Sequence, residues 1–488
     1  MVDFISMETK PINSEWESIF DQYSKINTWL EGLITDPKGL RYLKQLTPFD
    51  KRKQQEQKIL RMRRFCEYLE LPQNEFPTIH VTGTSGKGSV STYISQILVA
   101  DGLKTGLHTS PYVQVPNEKI AINNRPIKPS SYTQYLQELR KLYEKYNVEA
   151  EMKPTYSDMT TALVLWAFMK EQVECAVIEV GVGGRFDSTN VVNSNIAVIT
   201  NIGYDHLESI GPTLQDVAWH KSGIIKPCSN VVIGETDKSL RHVFDQEVAL
   251  KDAKAYYLGE DFTIDNIKHD QEGLIFDVHT LHGSIKAVRT RNKGTYQATN
   301  AGIAIFASQL FADQNNREFD ESVIRKGVEY FSMPVRFEIV EKHPLIILDG
   351  AHNPPKMQAL SQIIASEYPS QRKILAIGMI KTKDAKETLK HIASLFDVII
   401  LTKPDIIGKP LYEPHELADV IPHLNPQAKL FLVDDPSLIV QQSKQLAQPE
   451  DLILITGSIY MMGKVREYWY PKNQLLHQLE YQYDNKIN

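Results

Sequence analysis

The sequence predicts an α/β protein of two domains, each built on a mostly parallel sheet. Three observations carry this. Short β-branched or aliphatic runs alternate with helical stretches, the pattern of βαβ units. The runs fall into two sets, at residues 79–81, 175–180, 196–200 and 231–233, then at 345–348, 374–377, 398–402, 429–433 and 452–456. A chain of 488 residues is also long enough for two or three separate cores at about 150 residues per domain.

The elements follow in order. Residues 1–75 read as a polar helical lead-in, because Trp16, Phe20, Tyr23, Ile26, Trp29 and Leu30 recur at helix spacing. Its basic run at 51–64 (KRKQQEQKILRMRR) reads as a solvated helix face. Residues 255–293 alternate strand and turn signals, an antiparallel extension of the first domain. The polar segment 291–294 ends in Gly294 and precedes an Ala-rich helical run, so the hinge is expected there, with domains 1–294 and 295–488.

Composition removes several function classes. Lys and Arg total 54 against 60 Asp and Glu, a net charge of −6, which does not suit a general nucleic-acid surface. The longest apolar run, 162–169, is far short of the roughly 20 residues that span a bilayer. The start, Met-Val-Asp-Phe-Ile-Ser, lacks a basic leader and an apolar core, so a cytoplasmic protein is expected. Cys66, Cys175 and Cys228 show no metal-ligand spacing and read as small buried apolar residues.

The sharpest local signal is Ile79-His-Val-Thr-Gly-Thr-Ser-Gly-Lys-Gly-Ser89, a strand entering a Gly-rich turn and then a helix. N–H groups of such a turn and of the helix N-terminus form a cradle for polyphosphate oxygens, and Lys87 would neutralise charge there. The phosphate-binding set is therefore Gly83, Thr84, Ser85, Gly86, Lys87, Gly88 and Ser89. It departs from the general P-loop pattern, with Val81 at the first Gly position and Gly88 after the lysine. Glu179 ends a buried apolar run, so its carboxylate must be protonated, paired or bound to a metal. Taken alone, His206 reads as a hydrogen-bonded core histidine, Lys221 as a surface lysine, and Asp349-Gly-Ala-His352-Asn as a loop with an Asx turn.

The variant P-loop resembles that of the Mur-ligase superfamily, and more closely its folylpolyglutamate synthase/dihydrofolate synthase branch. Further blocks follow in that family's order: His108-Thr-Ser-Pro-Tyr112, Glu179-Val-Gly-Val-Gly-Gly-Arg-Phe-Asp-Ser-Thr-Asn190, Thr200-Asn-Ile-Gly-Tyr-Asp-His206, His220-Lys-Ser-Gly-Ile-Ile-Lys-Pro227, Pro334-Val-Arg336, Leu348-Asp-Gly-Ala-His-Asn-Pro354 and Thr456-Gly-Ser458. The resemblance implies an N-terminal P-loop ATPase domain and a C-terminal Rossmann-like ligase domain. It implies ATP and Mg²⁺ as cofactors, with Ser110, Glu179 and His206 as metal ligands and Lys221 carbamylated. It also implies that Asn300, Arg336, Asp349 and His352 bind ATP from across the cleft, with Arg336 near the γ-phosphate. Lys87, Lys221, His206 and Arg336 are then the catalytic set. The implied reaction forms an acyl phosphate on a dihydropteroate or folate carboxylate, which the amine of L-glutamate attacks, in a monomeric enzyme.

The acceptor wall departs from the family. Residues 155–160, Thr-Tyr-Ser-Asp-Met-Thr, stand where an aromatic-Glu-aromatic segment is usual. Tyr112 and Tyr296 replace histidines, Val335 replaces a glycine, and Trp219-His220 stands where Arg-Glu is commoner. Thr155, Tyr156, Ser157, Asp158, Phe186, Asp187 and Ser188 are the candidate acceptor contacts. Two alternatives follow: the same ligase chemistry on a non-folate carboxylate, and a nucleotide-binding protein without turnover.

Overall fold

The computed structural model describes residues 13–39, 47–71, 76–205, 210–270, 272–318, 320–329, 331 and 333–481. Strands β1 (Thr78–Thr82), β2 (Thr105–His108), β3 (Ala121–Ile122), β4 (Arg125–Pro126), β5 (Cys175–Glu179), β6 (Ile196–Ile199), β7 (Asn230–Ile233) and β8 (Lys254–Tyr257) form one sheet. Its order is β4-β3-β2-β5-β1-β6-β7-β8. Pairing is parallel from β2 across to β8 and antiparallel at the short β3–β4 edge. Strands β9 (Thr263–His269), β10 (Leu274–Thr280) and β11 (Gly283–Thr290) make the expected antiparallel extension.

The second sheet contains β12 (Glu338–Lys342), β13 (Leu345–Leu348), β14 (Lys373–Gly378), β15 (Val398–Thr402), β16 (Lys429–Leu432) and β17 (Leu452–Thr456), in the order β12-β13-β17-β14-β15-β16. Only β12 runs antiparallel to its neighbour. β1, β5, β15 and β17 are buried along their whole length, as parallel strands covered on both faces must be. Alternation then sends Cys175 and Val177 to one face of the first sheet and Ala176 and Ile178 to the other.

Helices α1 (Ser14–Glu31), α2 (Pro48–Tyr68), α3 (Lys87–Ala100), α4 (Pro129–Lys145) and α5 (Tyr156–Lys170) surround that sheet. The Asn13 side chain caps α1 by accepting from Trp16 N, and Thr47 caps α2 by accepting from Asp50 N. α1, α2, α4 and α5 share one core beneath one face, while α3 packs on the other. The basic run of α2 is mostly exposed, as expected, but Lys58 and Arg61 turn inward to the buried carboxylates of Asp187 and Asp158.

The domain boundary falls later than 294. Helices Tyr296–Gln314 and Glu321–Glu329 pack on α3, and Ala301, Ile305, Phe306, Ile324 and Val328 complete the first core. Segment 291–294 thus lies inside the first domain and is no hinge, because the alanine-rich helix after it offers two apolar faces that α3 and the β-extension cover. The chain passes to the second sheet through 333–337, where Val335 and Phe337 adopt positive φ (53° and 52°). The C-terminal end also departs from the expected division. Helix Lys472–Tyr481 returns to the first domain, where Leu476 enters its core, Trp16 Nε1 donates to Asn473 Oδ1 (2.7 Å), and Ser130 Oγ donates to Glu480 (2.6 Å). Of the cysteines, Cys66 and Cys175 are buried but Cys228 is exposed, in a turn at φ 56°.

A buried ion pair of the second domain also reaches the first. Arg466 makes a two-pronged contact with Glu338 (3.0 and 2.9 Å), both nearly fully buried, and its remaining arm reaches Gln114 of the first domain. Removing the cation leaves a buried carboxylate without its charge partner, which costs about 3–5 kcal/mol. Arg466→Met is therefore expected to lower the urea midpoint of the protein, and an unchanged midpoint contradicts this account.

Candidate active site

Ligands in open α/β sheets bind beyond the carboxyl ends of the strands. Here the carboxyl ends of both sheets carry the residues singled out from sequence. β1 ends in the Gly-rich turn, β5 in Glu179, β13 in Leu348 before Asp349, and β17 in Thr456 before Ser458.

The turn is built by close approach. Gly83 sits at φ 152°, where a Cβ would lie 1.8 Å from Thr200 Oγ1, and Gly86 sits at φ 80°, where a Cβ would lie 2.4 Å from Asn300 Oδ1. Only glycine fits either position. Thr84 N and Ser85 N both donate to Asn201 Oδ1 (3.1 and 2.8 Å), and these two amides brace the loop. The N–H groups of Lys87, Gly88 and Ser89, which open α3, have no carbonyl four residues back within the helix. Lys87 Nζ donates to Gly83 O (3.1 Å).

Glu179 is buried, and its Oε2 accepts from Ser110 N (2.9 Å). Burial pushes its carboxyl above the usual range, while Lys87, Arg336 and Lys356 pull it back. The second domain therefore delivers two of the three cations that face it. Lys221 lies buried on helix Leu214–Ser222, and burial together with Lys87 holds its amine well below the ordinary lysine value, against the pull of Asp205. His206 lies outside the described residues.

Across the cleft, Asp349 accepts from Phe337 N (2.9 Å) and Ala351 N (2.8 Å). Burial raises its carboxyl and Arg336 opposes the rise. Arg336 packs against Gly350, where a Cβ would meet Nη1 at 2.6 Å. The His352 ring is fixed by Gly350 O on Nδ1 (2.7 Å) and lies 3.2 Å from Lys356 Nζ through Nε2. Burial and the neighbouring Lys356 and Lys383 hold it well below the ordinary histidine value. Asn300 is the exception in this group. It stands on the same wall as the P-loop, donating to Gln297 Oε1 (3.0 Å) while its own Oδ1 abuts Gly86, because its helix belongs to the first core.

Sequence reasoning assigned no role to three of the groups found here. Lys356 is pushed down to about 7, by burial first and then by Arg336 and Lys87. A lysine in the first turn of a helix opposes the helix dipole, so its presence among cations marks an anion site. Asp205 accepts from Lys383 and, at 3.3 Å, from Asn353 Nδ2 of the second domain, closing the cleft. Ser458 has a buried hydroxyl with no hydrogen-bond partner among the described residues. Lys356 has only its position two residues beyond the Asp349–Pro354 block as a sequence signal.

The acceptor candidates form a second cluster, joined to the first by the loop from Glu179 to Asp187. Asp158 is fully buried and spent: it accepts from Thr155 N and Oγ1, Arg61 Nε (2.7 Å) and Ser188 Oγ (3.2 Å). Ser157 Oγ lies 3.5 Å from Ser188 Oγ. Tyr156 and Tyr112 flank Lys119, whose Nζ lies 5.0 and 5.4 Å from their ring centres. Asp187 is buried, which would raise its carboxyl, but Lys58 and the N–H groups of Val182 and Thr189 outweigh this and lower it. Phe186 turns away, against Trp219 and His220.

The fold and this cleft define a Mur-type ligase. Residues 81–308 match the Mur ligase middle domain, and residues 335–459 match the Mur ligase glutamate ligase domain. The folylpolyglutamate synthase of Lacticaseibacillus casei is 31% identical over 402 residues, spanning 81% of this chain and 90% of that protein. The dihydrofolate synthase/folylpolyglutamate synthase of Bacillus subtilis is 28% identical over 412 residues, 83% of this chain and 94% of that one. The Mycobacterium tuberculosis folylpolyglutamate synthase, solved in complex with ADP, superposes with a TM-score of 0.82 at 25% identity, covering 92% of this chain and 99% of that one. The chain belongs to the folylpolyglutamate synthase/dihydrofolate synthase family and is an ATP-dependent ligase. Among the described residues no helix is long and apolar enough to cross a membrane.

Proposed function

We propose that this chain adds L-glutamate to the carboxylate of dihydropteroate or a folate glutamate tail, through an acyl phosphate formed from ATP. The observation that carries the reading is the convergence of Lys87, Glu179 and Lys221 with Arg336, Lys356 and Asp349 at the facing carboxyl ends of two sheets.

A carboxylate is a poor acyl donor because oxide would have to leave, so amide formation requires prior activation. Lys87 and the first N–H groups of α3 hold the polyphosphate, and Arg336 and Lys356 face it to stabilise charge on the phosphoryl group in transfer. The Asp205–Lys383 contact keeps the cleft shut, protecting the acyl phosphate from water until the amine attacks. Mg²⁺ fits the donor set present. Glu179 is a buried carboxylate surrounded by cations only at charge distance, the Ser110 backbone N–H that binds it brings that residue to the site, and the Ser110 hydroxyl and a Lys221 carbamate would add further hard oxygen ligands. Bound there, the ion supplies neutralisation of the phosphate charge.

The test measures ADP release by purified protein with MgATP. Glutamate plus dihydropteroate and glutamate plus tetrahydrofolate are compared with each component alone. Release that requires both partners, with a product heavier by one glutamyl unit, is the expected result. Release without a pterin requirement, or none with any pterin, overturns the acceptor assignment. One observation favours the second reading, a different carboxylate. The Asp158 carboxylate of the acceptor wall is fully buried and engaged by Arg61, Thr155 and Ser188, so neither oxygen is exposed to a pterin N–H.

A further inference from the structure

α2, the loop after β5 and the turn after helix Leu214–Ser222 line an open-mouthed cavity of about 530 Å³, distinct from the cleft between the sheets, with Arg52 and Arg63 at its exposed rim. Its charge is unbalanced. Arg52, Arg63, Arg185, Lys226 and Lys251 line it against only two carboxylates, Glu56 and Glu247. Both are already engaged, Glu56 by Arg52 (2.6 Å) and Glu247 by Arg185 (2.5 Å). Arg63, Lys226 and Lys251 have no carboxylate partner among the described residues. Lys226 is largely buried and donates only to Asn190 O (2.9 Å). A cation taken from water without a counter-charge is costly, and here burial, Arg63 and Lys251 push the Lys226 ammonium down to about 7.

The remaining wall is firm. The Arg52 guanidinium lies 4.6 Å over both the Phe186 and Trp219 rings, and that of Arg185 lies 4.1 Å over Trp219. The cavity volume falls in the range of small-molecule sites, about 300–1,000 Å³. We propose that this cavity is a binding site for a compact multivalent anion, bearing phosphates or closely spaced carboxylates, whose charges pair with Arg63, Lys226 and Lys251. Its occupant would hold the turn Gly223–Pro227, which begins two residues beyond Lys221, against α2, and so reports to the catalytic helix without touching substrate. This goes beyond the ligase reading and does not depend on it.

Two probes separate the sources: inorganic pyrophosphate and γ-linked triglutamate, each titrated calorimetrically into the full chain, with acetate as a monovalent control. Pyrophosphate also suits the P-loop, so the titrations are repeated on Lys87→Met. A binding event that survives in Lys87→Met, weakens at least tenfold in Lys226→Met and in Arg63→Gln, and weakens with added salt supports the site. The tighter of the two probes then names the source. Glutamate-dependent turnover is expected to persist in Lys226→Met and Arg63→Gln without the added anion, which also shows that both variants fold. Unchanged affinity in both variants, loss of all binding in Lys87→Met, or equal binding of acetate overturns the proposal.

Discussion

Lys87→Met is expected to lower kcat/KM for ATP by about 10³-fold while leaving the thermal midpoint unchanged or raised, on the scale set by removing one preorganised charge from a reacting centre. The two halves of this expectation have one cause. Lys87 opens α3, where the helix dipole disfavours a cation, and it depresses the amines of both Lys221 and Lys356. In the free protein the charge is rewarded only by a hydrogen bond to Gly83 O and by attraction to the buried Glu179 carboxylate, against its repulsion of Lys221 and Lys356. These opposing effects largely offset each other in the free protein, whereas with a polyphosphate on the loop the charge acts on the reacting centre, so deleting it mainly removes stabilisation from the transition state. Nucleotide-dependent turnover within tenfold of the wild type, measured by ADP release, would sink this assignment. A fall in midpoint by several degrees would instead show that Lys87 is structural.

The residues legible in the sequence are those whose chemistry is fixed locally. The turn after β1 needs glycine at 83 and 86 because Thr200 and Asn300 approach within contact distance, and Glu179 stands out because a carboxylate ending a buried strand demands an explanation. The P-loop, both parallel sheets and the β-extension were readable for the same reason, since alternation and strand burial are properties of short windows. What was not readable depends on distant partners. The helix Tyr296–Gln314 has two apolar faces whichever domain it joins, and only its fit against α3 places it, and Asn300 with it, on the P-loop wall. The amphipathic C-terminal helix carries no sequence sign that Trp16 and Ser130 are its partners. The spending of Asp158 on Arg61 joins residues 97 positions apart. Val335 is an intermediate case. It stands where the family places glycine, and its φ of 53° is the left-handed backbone that explains the glycine elsewhere, retained here by a fully buried side chain.

Lys221 carries the second large effect, and its outcome depends on pH in a defined direction. Carbamate forms when a neutral amine attacks CO₂, so its occupancy follows the unprotonated fraction. An exposed lysine is almost wholly protonated at neutral pH. Burial and the adjacent Lys87 hold the Lys221 amine well below that ordinary value, which raises the neutral fraction at neutral pH and gives the carbamate a cationic neighbour. Occupancy should therefore rise with pH through the depressed titration and exceed that of an exposed lysine at neutral pH. With ¹³C-bicarbonate, one carbamate resonance is expected in the wild type and none in Lys221→Met. The same variant is expected to lose activity by about 10²–10³-fold, comparable to removing one charged ligand of the transferring phosphoryl group. Its folded stability should hold, because a buried methionine replaces an amine whose burial and repulsion by Lys87 outweigh the pull of Asp205. A wild-type spectrum without that resonance at any pH, combined with an inactive Lys221→Met, would keep Lys221 in the site as an amine and remove the carbamate from the metal's ligand set. Full activity in Lys221→Met would remove Lys221 from the mechanism altogether.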